Sequence, residues 1–411
     1  MAKFTRELDE LVAKGVITPE IAENIRGYYS KPSQGASLLV IAFGIIGALL
    51  IGMGIVLIIA HNWDDLSTGI KLMLGLAPLL ITQLLAGFVI IKDIRNQAWR
   101  ESIGVILMFA VATAISIVSQ VYNIHGSFTK FLLVWSALTL PVMYLLQSRT
   151  SSLLFWMLIT WYTVEASSSY YWIFAVAAAP FFVQLVRRSP DANSVSFHNW
   201  IVGISLAIAL GFGSYDTGNA YLVPAYIALF SIFILVGQLP VFADRRLINN
   251  AWLIGGSAGI IIMLLALTFE WVTLRRAMAP PFVIWIFLSV VAGVLLFIVG
   301  KKNGFRNVLS KSYTFIIFPV LLLIGISYPA VARGLTNILL LALGVYTIRE
   351  GAMADKLWKM NYGLLILSVL IACRFFDGDI SFVARGLLFV VIGAGFFGMN
   401  TYMIRKRKVT S

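Results

Sequence analysis

Eight side chains suited to recognition chemistry fall at the predicted ends of apolar runs: Trp63, Asp64, Gln120, Tyr122, His125, Glu165, Arg333 and Arg385. Arg333 and Arg385 each open an apolar run, where a planar guanidinium can hold a phosphate or carboxylate through two parallel hydrogen bonds. Gln120, Tyr122 and His125 offer donors and acceptors within six positions. Asp64 and Glu165 carry the opposite charge and suit the role of orienting partners for the arginines, and Trp63 has the form of an interfacial belt residue. Together they suggest an outward-facing polar pocket for an anionic headgroup or small anion. The competing reading is plain: long basic side chains at the ends of membrane spans commonly snorkel or form structural ion pairs.

Other chemistries lack their residues. The sequence holds no Walker A, HExxH or GxSxG motif. His61, His125 and His198, with the lone Cys373, make neither a zinc site nor a disulfide. No metal or other cofactor is expected. Near the expected mid-depth stand Gln83, Ser116, Ser136, Ser231, Ser257, Asn337 and Ser368, with no Asp, Glu, Lys, Arg or His. Proton- and sodium-coupled carriers usually need such a group, so coupling of that kind is not expected.

These residues need a scaffold, and composition names its class. Of 411 residues, 60% are hydrophobic and 12% charged, against about 25% charged in soluble chains. The expectation is an all-α polytopic membrane bundle. The net charge of +13 reflects short basic clusters between apolar runs, so no nucleic-acid partner is implied. Spans are expected over roughly 37–60, 70–92, 102–123, 130–147, 151–166, 170–186, 199–214, 219–239, 251–269, 280–300, 312–328, 332–348, 360–374 and 384–404. With the amino terminus inside, 24 of the 31 basic residues face the cytoplasm, which places both termini there.

Three segments follow. Residues 1–34 read as a cytoplasmic helical hairpin: Phe4, Leu8 and Leu11 repeat at helical spacing, Gly15 punctuates, and Thr18-Pro19-Glu20 starts a second helix. It is too small to bury a core alone, so it either docks on a protein partner or a second copy, or serves as a tether. Residues 35–404 form the transmembrane domain and 405–411 a basic cytoplasmic tail. No cleaved signal peptide is expected, since mixed charge rather than an apolar stretch follows Met1. Glycine faces at Gly44, Gly47, Gly255, Gly259 and Gly393 suit close packing, and Pro141, Pro180, Pro224 and Pro319 suit kinks. Val331-Ala332-Arg333-Gly334-Leu335 recurs as Val383-Ala384-Arg385-Gly386-Leu387, so the last four expected spans read as two tandem hairpins in the same orientation, 329–404 including the second copies.

Gly15-Val16-Ile17-Thr18-Pro19-Glu20, Ala60-His61-Asn62-Trp63-Asp64 with Lys71, Gln120-Val121-Tyr122-Asn123-Ile124-His125-Gly126 and Trp135 resemble a family of bacterial predicted membrane proteins, domain of unknown function two-one-five-seven. The resemblance covers roughly the first 145 residues and implies no activity. It leads to an acidic residue after Gly126, where this chain has Ser127. The adjacent Asp64 and Asp65 also bear a likeness to the first-loop carboxylates of polyprenyl-phosphate transferases, although the loop from His61 to Gly69 is short for that fold.

The functional expectation is a protein of the bacterial cytoplasmic membrane, in contact with membrane lipids. It binds or moves a lipid-linked or anionic amphipathic substrate through the outward polar pocket. The first alternative is a non-catalytic scaffold or sensor recruiting a partner, or a second copy, through residues 1–34. The second is a membrane-embedded transferase using Asp64 or Asp65.

Overall fold

The computed structural model describes residues 11–16, 18–23, 50, 61, 63–166, 170–188, 193–212, 222–243, 249–269, 280–306, 308, 314–375 and isolated positions between 381 and 398. The chain divides into two compact units, Met1–Lys71 and Leu72–Ser411.

In the first unit the local signals act as the sequence suggests. A helical segment ends at Gly15, whose φ of 65° is the left-handed conformation that favours glycine. The Val16 N–H donates to the Leu11 carbonyl at 3.0 Å and closes the turn. A second helical segment starts at Pro19, and Thr18 Oγ1 accepts the Ile21 N–H at 3.4 Å. The expected first span, 37–60, lies outside the described residues apart from Leu50.

The long helices are α1 (Thr68–Ile91), α2 (Gln97–Val121), α3 (Phe128–Leu146), α4 (Arg149–Ala166), α5 (Tyr170–Arg188), α6 (Asn193–Phe212), α7 (Leu222–Gly237), α8 (Ala251–Phe269), α9 (Pro280–Asn303), α10 (Thr314–Ser327), α11 (Pro329–Met353) and α12 (Leu357–Phe375), with one short turn of helix at Pro240–Ala243. They coincide one for one with the expected spans from 70–92 to 360–374. No strand occurs among the described residues. Nine of these helices are long and apolar enough to cross a membrane. Helix α4, at 18 residues, is not one of them. Its sequence carries Arg149, Thr150, Ser151, Ser152, Thr160, Thr163 and Glu165, which together lower its hydropathy. The expected last span, 384–404, lies outside the described residues except for isolated positions.

Helices α2 to α6 pack on one another, α7 to α12 do the same, and α6 joins the groups through α7 and α8. A continuous core runs through Met108, Met143, Phe155, Tyr171, Leu210 and Phe233. The other faces are apolar too: Leu84 is 75% exposed, Val176 72% and Met73 70%. In water such a surface would drive aggregation; around a multi-pass bundle it meets lipid tails.

Charge sorts to the helix ends. Arg95, Arg100, Arg149, Arg187, Arg188, Lys301, Lys302 and Lys359 lie at one set of ends, here the basic end. The corners there are cross-tied: Arg188 Nη1 donates to Gln147 Oε1 at 2.9 Å, and Arg149 Nη1 to Ser194 Oγ at 3.1 Å. Arg100 Nε donates to the Ile94 carbonyl at 2.7 Å, and Asn250 Nδ2 to the carbonyls of Gly237 and Phe242.

Glycine lets α11 and α12 approach backbone to backbone. A Cβ on Gly363 would stand 2.7 Å from the Gly344 carbonyl oxygen and 2.8 Å from the Ile348 nitrogen, whereas one on Gly334 would meet nothing within 4 Å. Gly363→Val therefore lowers stability by about 1–3 kcal/mol through overpacking. Gly334→Ala is neutral or stabilising, by up to about 1 kcal/mol. Thermal unfolding in detergent compares the two.

Candidate functional site

The sequence-predicted site residues lie at three places in the second unit and one in the first. Gln120 closes α2, and Tyr122, Asn123 (φ 47°) and His125 form the corner into α3, all exposed. Glu165 is exposed near the end of α4. Arg333 is exposed in the first turns of α11, and its Nη1 donates to the Phe269 carbonyl, at the end of α8, at 3.3 Å. Among the described residues no hydrogen bond or ion pair joins Arg333, Glu165, Gln120, Tyr122 and His125 to one another. In the first unit, Trp63 is half-buried with the Lys71 ammonium 5.3 Å from its ring centroid, and Asp64 and Asp65 are exposed. Arg385 lies outside the described residues.

A second arginine, Arg374, joins Arg333 at the end of α8. Its Nη2 donates to Thr268 Oγ1 at 2.8 Å, and its guanidinium carbon lies 4.6 Å from the Phe269 ring centroid. Two cations at a helix C-terminus meet the negative end of its dipole and its unsatisfied carbonyls. Arg333 commits one nitrogen to a carbonyl and keeps donors on an exposed face. That end of α8 is thus a place where an anion finds guanidinium donors.

The polar centre that the sequence did not bring forward is at the basic end. Asn96 caps α2, its Oδ1 accepting the Ala98 N–H at 2.9 Å, so the helix starts early and places Glu101 on its second turn. From there Glu101 reaches the N-terminus of α4. Its carboxylate accepts the Arg149 N–H at 2.9 Å, the Thr150 N–H at 2.8 Å, the Ser148 hydroxyl at 2.5 Å and the Gln97 side-chain amide. Ser148 is itself the cap of α4, accepting the Ser151 N–H at 3.0 Å. A capping box normally takes its acid from three residues into the same helix; here a neighbouring helix supplies it from 47 residues upstream. Gly104 makes room, since a Cβ there would stand 2.4 Å from Ser151 Oγ. The signal available in the sequence was Glu101 itself, an acid beside Arg100 in a corner rich in basic residues, and Asn96 just ahead of it.

Beside this node α4 and α6 run parallel. Arg149 pairs with Ser194, and eleven residues further along both helices Thr160 Oγ1 and Ser205 Oγ lie 2.6 Å apart, with the Tyr171 hydroxyl 2.7 Å from Ser205. Between those rungs His198 Nδ1 sits 3.1 Å from the Ser194 carbonyl. Buried Ser151, Ser152, Trp156 and Asn199 have side-chain polar atoms with no hydrogen-bond partner among the described residues.

Two features of the amino-terminal half have structural explanations. Ser127, where the family resemblance leads to an acid, caps α3, its Oγ accepting the Lys130 N–H at 3.2 Å. Serine and aspartate are near-equivalent caps. Trp135 ties α3 to α2, its Nε1 donating to the Met108 carbonyl at 2.9 Å.

Residues 9–152 match the model of the family described as predicted membrane protein (DUF2157). The matched region runs from the amino-terminal hairpin to the first turn of α4, and so takes in Glu101 and its partners. No curated protein and no solved structure matches the chain.

Removing the Glu101 carboxylate leaves the Ser148 hydroxyl and two backbone N–H groups without their acceptor. Glu101→Ala is expected to cost about 2–4 kcal/mol. Glu101→Gln costs less, because the amide oxygen still accepts. Thermal unfolding of the purified variants reads the order: unaltered protein first, Glu101→Gln next, Glu101→Ala last.

Proposed function

We propose that this protein is a multi-pass protein of the bacterial cytoplasmic membrane that binds or moves a lipid-linked or anionic amphipathic substrate at the end opposite the basic one. About fourteen spans and two cytoplasmic termini belong to this reading, with residues 1–34 as an appended hairpin and 405–411 as a basic tail. The observation that carries it is the meeting of Arg333 and Arg374 at the end of α8, with Arg333 exposed to the surroundings of an apolar bundle. By the positive-inside rule that end is external, so these arginines are retained against the topological bias. Arg385 opens the matching span of the second repeat and is the further anion ligand. Gln120, Tyr122 and His125 supply hydrogen bonds, with Glu165 orienting. Trp63 and Asp64, in the first unit, act as interfacial aromatic and orienting carboxylate.

A second reading is a scaffold or sensor that recruits a partner through the amino-terminal hairpin. It draws support from Leu11, Val16 and Ile21, all exposed in a segment too small to have its own core. The two readings separate in one experiment. Native mass spectrometry of gently purified protein is expected to show a retained phospholipid or lipid-linked anion that is lost in the folded Arg333→Ala, Arg385→Ala double variant. Equal retention overturns the anion-binding reading. A partner or dimer peak that disappears with Leu11→Glu, Ile21→Glu establishes the scaffold. A carboxy-terminal green fluorescent protein fusion is expected to fluoresce and an alkaline phosphatase fusion to be inactive; the reverse pattern overturns the cytoplasmic placement of the carboxy terminus.

A further inference from the structure

Five aromatic rings from α2, α3 and α4 form one connected file on the outside of the bundle. Phe128 opens α3, and its ring centroid lies 5.3 Å from that of Trp161 on α4, with the two planes inclined at 62°. The file continues down α3, from Phe128 to Phe131 at 5.8 Å and from Phe131 to Trp135 at 5.6 Å, then crosses to Phe109, midway along α2, at 6.2 Å. Positions 128, 131 and 135 share one helix face. Phe128, Trp161 and Phe109 are 46%, 48% and 51% exposed, while Phe131 and Trp135 are half-buried. The Trp135 N–H is already taken by the Met108 carbonyl, so that ring offers its π surface alone. Helices α2 and α3 are both long and apolar enough to cross a membrane. The seven residues from Phe128 to Trp135 cover about 10 Å of a hydrocarbon layer about 30 Å thick, so the file runs from the start of a span toward mid-depth.

The outer end of the file carries charge. Glu165 stands one turn beyond Trp161 on α4, at the spacing that puts two side chains on the same face, and both are exposed. Among the described residues no ion pair or hydrogen bond engages the Glu165 carboxylate. Lys130, the nearest cation along α3, comes two positions after Phe128 and so about 200° round that helix. The faces of Trp161 and Phe128 are the negative poles of their ring quadrupoles, and Glu165 adds a full negative charge beside them. An ammonium within about 6 Å of the ring centroids is attracted by all three groups. A phosphate or carboxylate is repelled. Because the same corner opens onto apolar rings at the start of a span, the cation that suits it carries a hydrocarbon chain.

We propose that Trp161, Phe128 and Glu165 hold the ammonium headgroup of a zwitterionic phospholipid, whose acyl chain lies along Phe131, Trp135 and Phe109. The two inclined rings form the walls of the headgroup site, and the carboxylate closes it. The inference goes beyond the anion-binding reading and stands without it, since neither Arg333 nor Arg374 takes part. It also supplies the exposed Glu165 carboxylate with a counter-charge.

Native mass spectrometry of the full-length protein, offered equal amounts of dioctanoyl phosphatidylethanolamine and dioctanoyl phosphatidylglycerol, reads headgroup preference at constant chain length. The unaltered protein is expected to retain the ethanolamine lipid about three- to tenfold over the glycerol lipid. Trp161→Leu, which keeps the apolar surface but removes the π face, and Glu165→Gln, which removes the charge, each bring the two lipids to near-equal retention. Trp161→Phe keeps part of the preference. Thermal unfolding confirms that the variants are folded; where Trp161→Leu is not, Glu165→Gln at its exposed position decides. An unaltered protein without the preference, or a preference that survives both substitutions, overturns the proposal. Tetramethylammonium chloride is the probe without a chain: a melting temperature raised by it as much as by the ethanolamine lipid makes the corner a site for soluble cations and overturns the lipid assignment.

Discussion

Hydrocarbon offers no hydrogen bonds, so any chain that crosses it must satisfy its backbone internally, and here the crossing segments are helices throughout the described residues. That constraint governs everything else in the molecule. It turns apolar faces outward as well as inward, so that Leu84 is 75% exposed and Val176 72%. It also moves the polar residues to helix ends, where caps and corners need them. The left-handed corners at Asp93, Asn123, Gln147 and Asp355 are the points where the chain turns back into the membrane.

At those ends the unsatisfied peptide groups set the electrostatics. The amino terminus of α4 takes a carboxylate, Glu101, and the carboxy terminus of α8 takes two guanidinium groups, Arg333 and Arg374. Both arrangements obey the helix dipole, yet they differ in what remains. Glu101 is fully occupied by four donors and acts as a clamp between α2 and α4. Arg333 uses part of its donor set and leaves the rest exposed. The same physical rule thus gives a structural node at one end of the bundle and a candidate anion site at the other.

Between these ends the α4–α6 seam departs from the apolar rule. Where α11 and α12 close with glycine, at Gly344 and Gly363, this pair is tied by polar side chains, Arg149 to Ser194 and Thr160 to Ser205, eleven residues apart on both helices.

Much of this was legible in the amino acids themselves. The apolar runs and basic clusters determined an all-helical membrane chain and the place of each long described helix, because the thickness of the hydrocarbon sets run length and the cost of burying charge sets loop composition. Gly15, Thr18 and Pro19 marked their turn because their preferences are local. The residues of the family resemblance likewise stood in the chain, and the match at 9–152 bears them out. Only the tertiary structure decided which polar groups meet. Glu101 caps a helix that starts 48 residues later, Arg149 reaches Ser194, and Arg333 and Arg374 converge on Phe269 and Thr268. The apolar runs at 102–123 and 199–214 begin just past Glu101 and His198, whereas the helices begin at Gln97 and Asn193. Helix starts depend on capping, as at Asn96, and on partners distant in sequence, and neither leaves a periodic trace along the chain.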